Sequence, residues 1–289
     1  MLPPPAVPGI PIAPGPRGLA AADPADLALA LRLADRADEL TVPAFRSADL
    51  VVDTKPDLTP VTDADRTVET ALRAVISSER PGDAVVGEEY GTSGSGSRRW
   101  IVDPIDGTKN FVRGIPVWAT LIALEVDGAL SVGVVSAPAL GRRWWAGRGL
   151  GAFAGPCPAA PAADAGSVGT PIRVSAVSSL SDAQLTGASL TNYDAHGGVE
   201  RYLALARACW RDRAFGDFWS HMLVAEGACD IAVDPVVSLW DLAALQVIVE
   251  EAGGRFSDID GAPRPDGGSA VSTNGLVHDA ALAILGGND

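Results

Sequence analysis

Trp100-Ile101-Val102-Asp103-Pro104-Ile105-Asp106-Gly107-Thr108 is the stretch on which the reading of this chain turns. An apolar run ends in two aspartates three positions apart, and the second is followed at once by Gly-Thr. The run predicts a strand that carries both carboxylates to its C-terminal end and stops there. Pro104 stiffens the turn and removes one amide that would otherwise need a partner. Two carboxylates this close repel each other unless a cation lies between them, and hard oxygen ligands suit Mg²⁺ or Mn²⁺. Gly107 lets the backbone approach a ligand closely. The amides of Gly107 and Thr108 open the next helical turn, an arrangement that binds anions. One short segment can thus hold metal and phosphate side by side.

The bulk properties bound the remaining choices. The chain has 289 residues, enough for one large domain or two halves. Its hydrophobic content of 47% describes a compact, Ala-rich protein, and no apolar run reaches the roughly 18 residues of a membrane span. The start, Met1-Leu2-Pro3-Pro4-Pro5, has no basic residue before its apolar part and is no secretory signal. Residues 1–22, rich in Pro, Ala and Gly, read as a disordered tail or an upstream start-codon artefact. The net charge of −14 argues against nucleic acid as a partner; divalent cations would supply the local positive field that a phosphate ligand needs. The three cysteines, Cys157, Cys209 and Cys229, form no CxxC pair, which fits a reduced cytoplasm. The three histidines stand far apart, so neither a zinc site nor a Ser-His-Asp triad is expected.

Two halves emerge along the chain. Asp23-Pro24 caps a first helix that runs to about Val42, and Thr62 caps a second with Val68, Leu72, Val75 and Ile76 on its apolar face. Ala84-Val85-Val86 is a short strand that delivers Gly87-Glu88-Glu89, and a polar loop over 91–97 leads back into the Trp100 strand. From Trp118 to Phe153 the pattern is antiparallel β, with a hairpin at Asp127-Gly128. Residues 23–153 form the first half, 154–169 read as a linker, and 170–287 form a second half. There, alternating short strands and helices suggest parallel pairing. Asp241 stands at the start of a helix over about 239–252; as a bare pattern it is equally an N-cap or a residue facing a metal.

The order of these segments is more specific than any one of them. Thr62-x-x-Asp65, Gly87-Glu88-Glu89, Asp103-Pro104-Ile105-Asp106-Gly107-Thr108, Trp240-Asp241 and Glu251-Ala252-Gly253-Gly254 follow one another. In this the chain resembles the inositol monophosphatase family of Mg²⁺-dependent, lithium-sensitive phosphomonoesterases, over nearly all its length after about residue 23. Lys109-Asn110-Phe111-Val112-Arg113-Gly114, Gly216-Asp217-Phe218-Trp219 and Asp234-Pro235 make it most similar to the histidinol-phosphate phosphatase branch.

The resemblance implies an α+β fold, the layered α-β-α-β-α sandwich of the inositol monophosphatase and fructose-1,6-bisphosphatase type. By position it implies that Glu88, Asp103, the carbonyl of Ile105, Asp106 and Asp241 bind up to three Mg²⁺, with Mn²⁺ an alternative. Gly107 and Thr108 would bind phosphate, and Asp65 would hydrogen-bond Thr108. Glu88 and Thr108 would place a water, Asp65 would take its proton through the Thr108 hydroxyl, and attack would be in line with no covalent intermediate. An acidic residue near Asp234 contacts the alcohol part of the substrate in the family, and a carboxylate there suits the ammonium of histidinol phosphate; Asp217 is a second candidate. As bare sequence, Asp234-Pro235 is equally a turn after a strand, and Lys109 and Arg113 are equally phosphate-steering or surface residues. The expected partner is a small phosphate monoester, with no nucleic acid and no membrane; family members are often dimeric, which leaves a homodimer open.

Three rival readings stand beside this one. Asp63-Ala64-Asp65-Arg66-Thr67 fits the DxDxT pattern of haloacid-dehalogenase-type phosphatases, whose first Asp forms a phosphoaspartate. That chemistry needs an apolar strand leading into Asp63, and residues 55–62 make a poor one. A non-catalytic metal or phosphate binder is the second; no ligand position carries a disabling substitution. The third keeps the chemistry and changes the substrate to an inositol phosphate, fructose 1,6-bisphosphate or 3′-phosphoadenosine 5′-phosphate, which Asp234 should disfavour.

Overall fold

The computed structural model of the chain describes residues 20–55, 59–158, 169–194 and 198–286. Of the expected tail and linker, residues 1–19 and 159–168 lie outside the described residues. Residues at the near edges of both are packed: Ala22 is buried and its amide donates to the Arg148 carbonyl at 2.9 Å, and Ala154–Pro156 complete a strand.

In the first half, α1 (Pro24–Ala44) starts at Asp23, whose carboxylate accepts from the Ala25 amide at 2.8 Å. The small hairpin β1 (Val52–Thr54) and β2 (Pro60–Thr62) leads into α2 (Asp63–Glu79). There follow β3 (Ala84–Gly87), β4 (Gly91–Ser93), β5 (Arg98–Asp106) and the single turn α3 (Thr108–Val112). Then come β6 (Ala119–Val126), β7 (Ala129–Ala137), β8 (Arg142–Gly147), β9 (Gly151–Pro156) and β10 (Thr170–Pro171), which pairs with β9 and so joins the first sheet although the expected second half begins at residue 170. The loop expected over 91–97 therefore contains a strand, paired antiparallel to β3. In the second half the order is β11 (Gln184–Gly187), α4 (Leu190–Asp194), α5 (Val199–Ala208), β12 (Arg211–Arg213), α6 (Asp217–Ala225) and β13 (Ile231–Asp234). The chain ends with α7 (Leu239–Glu251), β14 (Arg255–Ser257), β15 (Ala270–Thr273) and α8 (His278–Leu285).

Among the described residues the strands form an eight-stranded sheet, ordered β10-β9-β8-β7-β6-β5-β3-β4, and a five-stranded sheet, ordered β12-β11-β13-β15-β14. β11 runs parallel to β12 and β13, as the alternating pattern predicts, but β15 is antiparallel to both β13 and β14, so the second sheet is mixed. Leu29, Leu33, Leu72 and Ile76 of α1 and α2 bury one face of the first sheet against Trp100, Val102 and Ile122. Its other face meets α6 and α7 through Leu121, Val135, Met222, Leu242 and Val249, together with Phe256 and Ala270 of the second sheet. Tyr202 and Leu205 of α5 and Ala281 and Leu285 of α8 cover the far side. The result is five layers, α-β-α-β-α. Residues Leu242–Val249 of α7 are all buried, because a helix between two sheets has no solvent face.

The pairing of β5 with β6 breaks register between Asp103 and Asp106. In an even strand, residues three apart point to opposite faces. The irregularity takes up the odd residue and brings both carboxylates into one cluster. It is pinned from behind, where the Thr120 hydroxyl donates to the Pro104 carbonyl at 2.8 Å and Phe45, Phe111 and Trp118 pack together.

Candidate active site

Asp103 and Asp106 meet Asp241, from the first turn of α7, with one carboxylate oxygen of each within 4.8 Å of the others. Each carboxylate is aimed by a backbone amide. Ile105 N donates to Asp103 Oδ1 at 2.9 Å, Phe218 N to Asp106 Oδ2 at 2.8 Å, and Ser238 N to Asp241 Oδ2 at 2.7 Å. Ser238, not Asp241, is the N-cap of α7; Asp241 is its N3 residue, reaching back in the manner of a capping box. One oxygen of every aspartate is thus held by a backbone amide.

Burial and mutual repulsion hold these acids far from their ordinary behaviour. Burial, then the charges of Glu88, Asp106 and Asp241, raises the Asp103 pKa well above the usual carboxylate range. Burial, then Asp217 and Asp241, does the same to Asp106. Burial lifts Asp241 to about 7, against the opposing Ser238 amide. Three such groups cannot all ionise without positive charge among them. The cluster has the hard-donor composition that fits a divalent cation.

Glu88 stands at the end of β3, close enough for its charge to raise both Asp103 and Asp241, but it is not one of the three clustered carboxylates. Its Oε1 accepts from Lys55 Nζ at 2.7 Å, and Lys55 reaches Glu89 at the same distance. Burial pulls the Lys55 pKa down, but its bonds to Glu88 and Glu89 outweigh that and raise it. The sequence assigns no individual role to Lys55 or to Glu69. Glu69, fully buried on α2, accepts from the amides of Glu89 (2.7 Å) and Tyr90 (3.2 Å) and pairs with Arg73. Gly87 is required here, since a Cβ would lie 2.1 Å from Glu69 Oε1.

Gly107, at φ +83°, is the N-cap of α3. The expected bond between Asp65 and Thr108 is not formed. The Thr108 hydroxyl donates to the Ile105 carbonyl at 3.0 Å, and Asp65 Oδ2 is committed to the Thr62 amide (2.8 Å) and hydroxyl (2.6 Å) as the N3 residue of the α2 capping box. Asp65 Oδ1 is buried and has no partner among the described residues, and burial raises the Asp65 pKa to about 6. Asp63 follows the three-residue hairpin strand β2, but its side chain is exposed and accepts from the Val51 amide at 3.2 Å, so it lacks the buried setting that the phosphoaspartate reading needs.

A cavity of about 440 Å³, the size of a small-ligand site, opens beside the cluster and is lined by Asp106, Asp241, Asp217, Asp234, Lys109 and Asn110 among others. Asp217 adopts φ +49°, a backbone conformation rare outside glycine. Asn110 Nδ2 donates to its Oδ2 at 2.7 Å, while burial and the Asp234 charge raise its pKa to about 6. Asp234 is 5% exposed and its Oδ2 lies 2.8 Å from His221 Nε2. Arg113 is exposed at the end of α3, away from the cavity lining.

Similarity to known proteins extends over nearly the whole chain. The profile of the inositol monophosphatase family matches residues 25–285. The histidinol-phosphatase of Mycobacterium tuberculosis is 59% identical over 261 residues, covering 90% of this chain and 97% of its own length. That of Streptomyces coelicolor is 50% identical over 264 residues, covering 90% and 96%. Among solved structures, the extragenic suppressor protein suhB from Bartonella henselae superposes with a TM-score of 0.80 at 28% identity, covering 92% of this chain and all of that one.

Proposed function

The chain belongs to the inositol monophosphatase family, and from that premise we propose that it is a Mg²⁺-dependent phosphomonoesterase that hydrolyses L-histidinol phosphate to L-histidinol and phosphate. The observation that carries the reading is the group of three amide-aimed aspartates, Asp103, Asp106 and Asp241, opening on a cavity that also holds Asp234. The curated relatives at 59% and 50% identity that bear the name histidinol-phosphatase support the choice of substrate.

Asp103, Asp106 and Asp241, with Glu88 and the Ile105 carbonyl beside them, would hold up to three Mg²⁺. Bound there, the ions would neutralise the phosphoryl oxygens, acidify a water and stabilise the leaving alkoxide. The protein's own groups supply the rest. Gly107 and Thr108 bind the phosphate at the start of α3. Glu88, once released by Lys55, and the Thr108 hydroxyl orient the attacking water. Asp65, with one bare oxygen and a pKa raised to about 6, takes the proton through that hydroxyl. This needs the Thr108 hydroxyl to turn from the Ile105 carbonyl to Asp65. The new P–O bond forms as the bond to the alcohol oxygen breaks in line, with no phosphoryl group on the protein.

Asp234 selects the alcohol. A carboxylate facing the cavity favours an ammonium and disfavours polyol phosphates, which are neutral or anionic away from the reacting group; Asp217 adds a second negative group to the same wall. The free cysteines suit a cytoplasmic setting. Phosphate release from a panel that includes L-histidinol phosphate and inositol 1-phosphate, with and without chelator, tests the assignment. Chelator-sensitive release with preference for L-histidinol phosphate is expected; preference for inositol 1-phosphate would transfer the chain to that activity.

A further inference from the structure

Asp234 ends β13, and Ala232, two residues earlier, lies on the same face of the sheet. Ala232 pairs with Ser272 on β15, so Ser272 turns the same way. α6 covers that face, with Val224 packed on Ala232. His221, one turn along α6 from Asp217, reaches into this layer. Its Nε2 is 2.8 Å from Asp234 Oδ2 and its Nδ1 is 2.7 Å from Ser272 Oγ. His221 and Ser272 are both fully buried. An ionised carboxylate can only accept, so the Nε2–H donates to Asp234, and Nδ1 shares a hydrogen bond with the Ser272 hydroxyl. Among the described residues no other side chain hydrogen-bonds the Asp234 carboxylate, which lines the cavity.

We infer that His221 is a positioning residue for substrate choice: its ring pins Asp234 Oδ2 inside the protein, so that Oδ1 is the oxygen presented to an ammonium in the cavity. The inference rests on the reading of Asp234 as that ammonium's partner. Ser272 holds the ring's other nitrogen, and α6 ties the arrangement to the candidate metal site, because an amide of its first turn, from Phe218, is the one that aims Asp106.

The test is steady-state kinetics of the full-length, Mg²⁺-loaded protein on L-histidinol phosphate and glycerol 2-phosphate. His221→Leu keeps the volume and removes the donor. It raises KM for L-histidinol phosphate at least about tenfold, as expected for a lost hydrogen bond to a charged group, and leaves KM for glycerol 2-phosphate and both kcat values within about threefold. His221→Gln, whose amide nitrogen stands near the place of Nε2, recovers most of the loss. A purely structural role would move both substrates together, so equal changes for both, or none for either, overturn the inference. If His221→Leu does not fold, Ser272→Ala decides: a selective rise of about threefold supports the role, and an unselective result overturns it. Wild-type protein with no preference for L-histidinol phosphate overturns the reading of Asp234 and this inference with it. A wild-type preference that survives His221→Leu overturns the positioning role alone.

Discussion

The backbone amide of Phe218 donates to Asp106 Oδ2 at 2.8 Å, across 112 residues of chain. It joins the first turn of α6, in the second half, to the end of β5, in the first. Asp241 reaches the same cluster from α7. The candidate metal site is therefore assembled by the packing of the two halves, and neither half carries it alone.

Replacing Asp103 or Asp241 by Asn separates stability from function. Each removes one buried negative charge from a repelling set, so the metal-free protein should melt at the same temperature as wild type or higher. Turnover should fall at least about a thousandfold, because the charge that holds the cation is gone. Calorimetry and phosphate release on the same preparations check both halves; near-normal rates would remove the metal assignment.

The raised carboxylates also set a pH dependence. Asp241, with a pKa near 7, and Asp65, near 6, keep protons in the folded state that they release on unfolding. Asp103 and Asp106 shift the same way. Their contribution to stability is full below the unfolded value of 3.8 and is lost as pH rises through about 6 to 7. The metal-free melting temperature should therefore fall between about pH 5.5 and pH 8, and Mg²⁺ should restore more of it at the higher pH, by about 2.7 kcal/mol at a hundredfold excess over its dissociation constant. Buried Asp38 follows the same trend but stands apart from the cluster, so the difference between Mg²⁺ and chelator isolates the site. Equal Mg²⁺ shifts at both pH values would contradict this.

Glu69→Gln should cut activity about 10- to 100-fold, the usual cost of losing a group that orients a ligand. It places an amide donor among the Glu89 and Tyr90 amides and leaves Arg73 without its buried anion. Gly87→Ala should lower stability by about 1–3 kcal/mol through overpacking against Glu69. Wild-type values for both variants would show that the Glu88 turn needs no support.

Asp234→Asn should raise KM for L-histidinol phosphate about 10- to 100-fold, from the 1.5–3 kcal/mol of a hydrogen bond to a charged group, and change glycerol 2-phosphate little. Equal effects on both would show that Asp234 does not read the ammonium.

What the sequence made legible was contiguous. Asp103, Asp106 and Gly107 end a strand within five residues, and their order relative to Glu88 and Asp241 carries the family resemblance that implies the layered fold. What it hid depends on packing. α6 lies between two sheets, with Phe218, His221, Met222 and Val224 all buried, so no amphipathic period marks it. Glu69 and Arg73, four apart on α2, have the spacing of an ordinary exposed helix pair, which conceals that Glu69 is buried. The antiparallel β15 carries no hairpin signal, because strand order is set by how distant segments pack. The Asp65–Thr108 bond is not formed because a Thr-x-x-Asp capping box engages one oxygen of the same carboxylate.

The central claim is that Asp103, Asp106 and Asp241 close on divalent cations beside the cavity that takes the ester. An anomalous difference map from a crystal soaked in Mn²⁺ tests it most directly. The account predicts strong peaks between those three carboxylates, with Glu88 turned away from Lys55 toward them. Carboxylates splayed apart with no peak between them would contradict it.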